Sequence, residues 1–306
     1  MITRLVLIIV FLLSAYPADA RVMEMRIALW KLPFNLPAMV AIENKTYEKA
    51  FEGEYSVKYI NLPSGPRQVQ AMAAGELDIA EGLGAAAALV GIANGVDIVI
   101  IGANGRSPEA FAVAVKNPKI LKISDLKGKK VAGLRGSVVH QLYVELLHKE
   151  RLTDKDVQFF PMTLSASASA LIAGRVDAAL LAGTEILRAE KGGCRVIADG
   201  KGYLEGLSVI AARREFAETN RPAIEKYLAQ REKIRLEAAQ FPQKFVPILE
   251  KQTGLSKNEI MKMLVKFDYR TKITTIDIQE LKNTAEYLKR ESIIRSIPSI
   301  NNILWK

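Results

Sequence analysis

Two rhythms of apolar and polar positions alternate along the chain from residue 21 to about residue 213. "RVMEMRIALWKL" (21–32), "YSVKYINL" (55–62), "LDIAEGL" (77–83) and "VDIVIIGA" (96–103) are short, alternating or continuously apolar runs that predict strands. Between them, "PAMVAIENKTYEKAF" (37–51), "GPRQVQAMAAG" (65–75) and "AAAALVGIANG" (85–95) carry helical periodicity. Pro66 near a first turn and Gly75 just past a last one are the expected start and stop residues. After "NGRSPEAFAVAVK" the order restarts, with strands in "SDLKGKKVAGL", "VQFFPM", "RVDAALLA" and "CRVIAD" and helices in "SVVHQLYVELLHKE" (137–150), "SASASALIAG" and "TEILRAEKGG". One more strand, "GLSVIAAR" (206–213), precedes an almost wholly helical tail beginning near Glu215. Strand alternating with helix at these lengths predicts βαβ units and mainly parallel sheets.

One phrase occurs twice. "AAGELDIAEGLG" (73–84) returns 99 positions later as "IAGRVDAALLAG" (172–183), so Gly75, Asp78, Ala80 and Gly84 match Gly174, Asp177, Ala179 and Gly183. In both copies a helix ends at Gly, a short strand follows, and a Gly turn opens the next helix. Two related α/β lobes follow from this restart. The predicted layout is lobe I over 21–105, lobe II over 106–205, and over 206–306 a return strand with C-terminal helices that rejoin lobe I. In open α/β sheets ligands bind beyond the carboxyl ends of strands, where helix starts present free N–H groups. That logic selects Gly82, Leu83, Gly84 and Ala85 in one lobe and Gly183 and Thr184 in the other, facing a shared cleft.

The first twenty residues, "MITRLVLIIVFLLSAYPADA", combine Arg4, an apolar run from Leu5 to Leu13 and an Ala18-Asp19-Ala20 cleavage pattern. They predict a secretory signal peptide cut after Ala20. The apolar run is too short to cross ~30 Å of hydrocarbon. A single cysteine, Cys194, excludes an intramolecular disulfide, and after Gly192-Gly193 it reads as a small core residue entering a strand. The net charge of +10 raises the question of nucleic acid. Most of the basic excess, however, lies in helical stretches such as "EKYLAQREKIRLEAAQ", where Glu alternates with Lys and Arg. This is a solvated, i,i+4-paired helix surface, so no nucleic-acid partner is predicted and the charge serves at most to steer an anion.

Single residues add candidates. Ser137 is placed to N-cap a helix over 138–149, and the start Gly136, Ser137 and Val138 would offer N–H groups to a ligand. Arg106 and Arg135 lie near predicted crossings or strand ends, where a guanidinium holds carboxylate, phosphate or sulfonate in bidentate fashion. Trp30 and Lys31 follow the first strand, and Tyr203 and Glu205 adjoin the return crossing. His140 and His148, the only histidines, match no metal-ligand spacing; Ser137 and His140 have no third orienting group for a catalytic triad. No Walker A or GxGxxG loop is present, so the reading contains no cofactor, metal or catalytic residue.

"GPRQVQAMAAGELDIAEGLGAAAALVGIANGVDIVIIGA", "DLKGKKVAGLRGSVVHQLYVELL" and "ALIAGRVDAAL" resemble the solute-binding proteins of sulfonate, taurine and nitrate ABC importers, over about Val22 to Ile293. The resemblance implies a type II periplasmic-binding-protein fold: two α/β lobes with a ligand cleft between them and a helical tail. It further implies a non-enzymatic, periplasmic, monomeric protein that closes by a hinge around a small anionic or heterocyclic ligand and hands it to an ABC permease. The family's contacts carry over to the residues after the first strand, to Gly82–Ala85, to Gly136-Ser137 and to Gly183-Thr184. Where sulfonate binders often continue the second-lobe strand with Trp and Asp-Pro, this chain reads "DAALLAGTEIL", a departure that bears on the ligand and not on the fold. Thiamine-pyrimidine synthase-like proteins share the superfamily, so an enzyme on this fold is one alternative; a ligand sensor uncoupled from import is the other.

Overall fold

A computed structural model describes residues 23–29, 31, 34–62 and 64–306; the predicted signal peptide and Trp30 lie outside the described residues. Among the described residues ten strands form two five-stranded sheets. In chain order they are β1 (Met23–Leu29), β2 (Tyr55–Tyr59), β3 (Ile79–Gly84), β4 (Ile98–Gly105) and β5 (Phe111–Val115). There follow β6 (Lys130–Gly133), β7 (Gln158–Pro161), β8 (Ala178–Ala182), β9 (Arg195–Asp199) and β10 (Ser208–Arg213). One sheet has the order β2-β1-β3-β10-β4 and the other β7-β6-β8-β5-β9.

These are the same arrangement written twice. The fourth place in each sheet is taken by the strand that has just crossed from the other lobe, and it runs antiparallel to both neighbours. The remaining pairings are parallel. The expectation of mainly parallel sheets therefore needs this amendment, and β5, "FAVAV", was not among the predicted strands. Its five residues are all buried, so they show no alternation, and Pro108 just ahead made the stretch read as part of the crossing. The helix expected over 37–51 is two, Leu36–Asn44 and Thr46–Ala50, divided at Lys45 with φ of 51°.

The repeated phrase has a local explanation. Gly75 and Gly174 take left-handed φ values of 71° and 69° after helices Gly65–Ala73 and Leu164–Ile172. Each closes a Schellman turn: Glu76 N–H donates to Ala71 O at 2.8 Å, and Arg175 N–H to Ala170 O at 2.9 Å. The aspartates then start the central strands. Asp78 N–H donates to Arg26 O (3.0 Å) while Arg26 N–H donates to Asp78 Oδ2 (2.9 Å). Asp177 and Lys130 make the same reciprocal pair at 2.9 and 2.9 Å. Each Asp thus satisfies a backbone donor of the neighbouring strand, midway along β1 and at the start of β6, and fixes the register of β3 on β1 or of β8 on β6.

The tail covers both faces of the first sheet. Helices Arg221–Gln240, Val246–Thr253 and Lys257–Leu264 pack with Met25, Ile27 and Ile210 on one face. Helix Thr275–Arg290 packs through Leu281, Ala285 and Leu288 beside helix Ala85–Ala93 on the other. The same helix reaches the second lobe: Tyr287 Oη lies 2.5 Å from His140 Nδ1, Thr284 Oγ1 donates to Gln141 Oε1 (3.1 Å), and Arg290 pairs with Glu145 (2.6 Å). On the opposite flank Lys191 of the second lobe pairs with Glu259 at 2.7 Å.

Candidate ligand-binding site

A cavity of about 390 Å³ lies between the lobes at the carboxyl ends of the strands. Helix starts make its polar part. Gly84 and Ala86 come from the start of Ala85–Ala93, Gly65 from that of Gly65–Ala73, and Ser137 and Val138 from that of Val138–Lys149. The first N–H groups of a helix have no carbonyl behind them and carry the positive end of its dipole. Ser137 caps its helix as expected: its Oγ accepts from His140 N–H (3.3 Å) and donates to Leu134 O (2.6 Å). A Cβ built on Gly84 would lie 3.9 Å from Val138 Cγ2, so the two lobes stand within side-chain reach there.

Arg135 is the only charged residue lining the cavity among the described residues. It follows β6, lies over the Phe159 ring at 5.0 Å and is 3.4 Å from Asp154, with about half of its side chain exposed. Its guanidinium is therefore held by one ion pair and one ring contact. Ser208 forms part of the floor; its Oγ accepts from Asn104 Nδ2 (3.2 Å).

Of the residues selected from sequence, Gly82, Gly84, Arg135, Gly136, Ser137 and Val138 line this cavity. Leu83, next to two lining glycines, faces the core beneath the sheet because side chains alternate along a strand. Ala85 is buried and gives its N–H to Leu207 O at 3.3 Å. Gly183 gives its N–H to Ala110 O at 2.8 Å; neither it nor Thr184 is part of the lining. Lys31 is exposed and outside the lining.

Arg106 is corrected outright. Its Nε and Nη2 donate to Asp277, both at 2.5 Å, while Nη1 donates to Arg270 O (2.8 Å) and Nη2 also to Lys272 O (2.9 Å). Four of its five N–H groups are thus bonded, with Asp268 3.7 Å from Nη1, and they fasten the first crossing to the start of helix Thr275–Arg290. Beside it, Ser107 N–H donates to Glu205 O (3.0 Å), joining the two crossings directly. Tyr203 lies at the surface, where its hydroxyl accepts from Lys149 (2.8 Å).

Sequence reasoning missed the apolar lining, including Phe111, Leu164, Leu207 and Ile293. Such residues carry no chemical signature. It also missed a buried polar group behind the floor. Glu81 and Arg231 are fully buried 3.3 Å apart; Tyr47 and Tyr227 donate their hydroxyls to Glu81. Arg231 continues to Thr271 Oγ1 (2.8 Å), Tyr269 O (3.1 Å) and Asn104 Oδ1 (3.1 Å), and Asn104 holds Ser208. Burial pushes both tyrosine hydroxyls well above their ordinary range, so they act as fixed donors. His140 is likewise buried, which lowers its imidazole to about 4 and keeps it neutral at pH 7. Among the described residues no group of three or more His, Cys, Asp or Glu is placed to hold a metal ion.

Residues 55–243, more than half of the chain, match the family described as NMT1/THI5 like. The chain belongs to the NMT1/THI5-like family. This member is 30% identical over 193 residues to "Putative aliphatic sulfonates-binding protein" of Escherichia coli (strain K12); the alignment spans 62% of this chain and 60% of that relative. Two solved structures share the fold of this NMT1/THI5-like chain across 92% of its length. The periplasmic aliphatic sulphonate binding protein SsuA from Escherichia coli superposes with a TM-score of 0.81 at 24% identity, covering 92% of that chain. The alkanesulfonate-binding protein SsuA from Xanthomonas axonopodis pv. citri bound to MOPS gives 0.83 at 21% identity, covering 98% of that chain. At these identities the structures speak for the fold alone: the type II periplasmic-binding-protein architecture, with its strand order and two crossings. Among the described residues no helix is long and apolar enough to cross a membrane.

Proposed function

We propose that this protein is an extracytoplasmic solute-binding protein that captures a small anion between its lobes and delivers it, as a monomer in the periplasm, to an ABC permease. One observation carries the reading: several helix starts converge on a cavity whose only charged lining side chain, among the described residues, is that of Arg135. N–H groups and a guanidinium with no competing carboxylate in the lining select negative charge. The names of the sulfonate-binding relatives point the same way.

In this mechanism the ligand bridges the lobes. Its head takes N–H donors from Ala86 in lobe I and from Val138 and Ser137 in lobe II, while Arg135 closes over it. Binding to both lobes at once gives the closed state the differential affinity that closure needs. The crossings at Arg106–Ser107 and Glu205 supply the hinge, and the permease reads the closed shape. The lobes perform no chemistry on the ligand.

Calorimetric titration with alkanesulfonates, alkanoates, nitrate and neutral pyrimidines tests this. Anions are expected to bind, and Arg135→Gln to weaken them by about tenfold to a hundredfold, the worth of a charge-assisted hydrogen bond. Gly84→Phe fills the narrow gap opposite Val138 from a φ of −60°, and should abolish binding with the fold intact. A neutral pyrimidine that binds with the same affinity to wild type and Arg135→Gln would overturn the anion reading.

A further inference from the structure

The charge of the surface is unevenly spread. Between β5 and β6, residues 116–130 read "KNPKILKISDLKGKK", six lysines against one aspartate, a net of +5 where the whole chain carries +10. The sheet register brings both ends of this segment together. Val115 and Val131 each pair with Ala178 at the start of β8, and Val115 pairs with Arg195 at the start of β9. The segment therefore covers the strand ends of the second lobe that lie opposite the cleft. Lys116, Lys119, Lys122, Lys127 and Lys130 are exposed there, and Lys129 is half-buried. The acidic groups of this pole are turned to backbone: Asp125 accepts the N–H of Leu121 (2.8 Å) and Lys122 (3.1 Å), Asp156 that of Thr153 (2.9 Å) and Asp177 that of Lys130 (2.9 Å). Among the described residues Lys127, 3.7 Å from Asp156, is the one lysine of the segment in an ion pair. The turn closed by Asp125 is anchored in the core by Ile120 and Ile123 and leaves Leu121 68% exposed, between Lys119 and Lys122 in sequence.

The residue types select the partner. The segment has no arginine and no aromatic residue, so it offers neither the guanidinium forks nor the stacking surfaces that hold nucleic acid. Ammonium groups around one exposed leucine suit a layer of phosphate headgroups over hydrocarbon. The periplasmic setting proposed above puts such a layer within reach, and the inference rests on that setting and not on the ligand. We propose that this pole of the second lobe rests on the surface of an anionic phospholipid bilayer, its lysines on the headgroup phosphates and Leu121 at the acyl boundary. Such a contact concentrates the protein beside the membrane. The cleft opens at the other ends of the strands, so the contact leaves the cavity accessible to solvent.

Sedimentation with vesicles tests this, using the chain without its predicted signal peptide, since both sheets lie in the described residues from Met23 onward. Vesicles of phosphatidylcholine and phosphatidylglycerol in equal parts should carry the protein down at low salt, and phosphatidylcholine alone should not. Raising salt from about 0.05 to about 0.5 M should release it as the Debye length shrinks. A lysine near an anionic surface is worth about fivefold in affinity, so Lys119→Gln with Lys122→Gln should weaken binding about twenty-fivefold. Leu121→Ser should cost about fivefold to tenfold. Lys257→Gln with Lys262→Gln removes the same charge from exposed positions in the tail and should change binding less than about twofold. Equal loss in the two double variants would reduce the effect to net charge and overturn the patch, as would failure of the mixed vesicles to bind wild type. A duplex oligonucleotide held more tightly than the vesicles, and released by the Lys119 and Lys122 substitutions, would give the pole to nucleic acid and overturn the lipid contact. No solute takes part in these measurements, so none of these results touches the anion reading of the cleft.

Discussion

The two copies of the repeated phrase make strands β3 and β8, the centres of their sheets, and both begin with the same Schellman turn and the same strand-starting Asp. Three residues later they part. Glu81 in β3 corresponds to Leu180 in β8. Leu180 is fully buried against the backbone of β6, where a Cβ on Gly133 would come within 2.5 Å of it. Glu81 is just as buried but holds Arg231, Tyr47 and Tyr227. The second lobe closes its core with its own helices and needs only shape. The first must seat a tail that arrives 150 residues later, and a charged key allows one seating where apolar contact would allow several. Buried ionic groups give registry more readily than net stability.

That contrast can be broken at several strengths. Arg231→Ala strands the Glu81 carboxylate and should cost about 3–5 kcal/mol in urea denaturation. Leu180→Ala, the matching deletion in the other lobe, should cost about 2–5 kcal/mol as a cavity. Writing the second lobe's solution into the first, as Glu81→Leu with Arg231→Met, should recover most of what Arg231→Ala loses, because no charge is left unpaired. A double variant no more stable than Arg231→Ala would show that the network contributes stability beyond registry. The aspartates sharpen the comparison further. Asp78 also pairs with Arg26 (2.8 Å) and Arg213 (2.9 Å), whereas Asp177 makes the backbone bond to Lys130. Asp78→Ala should therefore cost about 2–3 kcal/mol and Asp177→Ala about 1 kcal/mol.

The smallest expected effect is a pH slope, and it opposes two groups on the helices that meet between the lobes. Burial lowers His140 to about 4, so between there and its ordinary 6.5 the unfolded chain binds the extra proton and stability rises with pH. Burial raises Glu280 to about 7, so between its ordinary 4.5 and there the folded protein binds the extra proton and stability falls with pH. The two slopes offset each other in the shared range. His140→Phe should unmask a fall in urea midpoint from about pH 4.5 to 6.5, and Glu280→Gln a rise over the same window. Flat profiles in both variants would mean that neither group titrates as described.

Sequence carried the fold far because its signals are local. Gly75 and Gly174 mark chain reversals whose bonds close within five residues, and helix periodicity survives to the last turn. The crossing strand β5 was opaque because five buried residues have no alternation to read. The site divides in the same way. Gly82, Gly84, Gly136, Ser137 and Val138 follow from the rule that helix starts face the cleft, and Arg135 stands beside one of them. Arg106 misled because its partner, Asp277, is 171 residues away and no local pattern announces it. Glu81 was passed over for the same reason, and Phe111, Leu164 and Ile293 look like any other core residue until the fold turns them toward the cavity.

Helix Thr275–Arg290 has a consequence in time. It rests on one lobe and grips the other through Tyr287, Thr284 and Arg290, while Lys191 and Glu259 fasten the far flank. In the capture mechanism proposed above, separating the lobes parts these fastenings, so the rate of capture would report how often the protein opens. Departure waits on the same event. Loosening the helix would shorten arrival and departure together and leave their ratio nearly unchanged, so this helix sets the tempo of exchange rather than its balance.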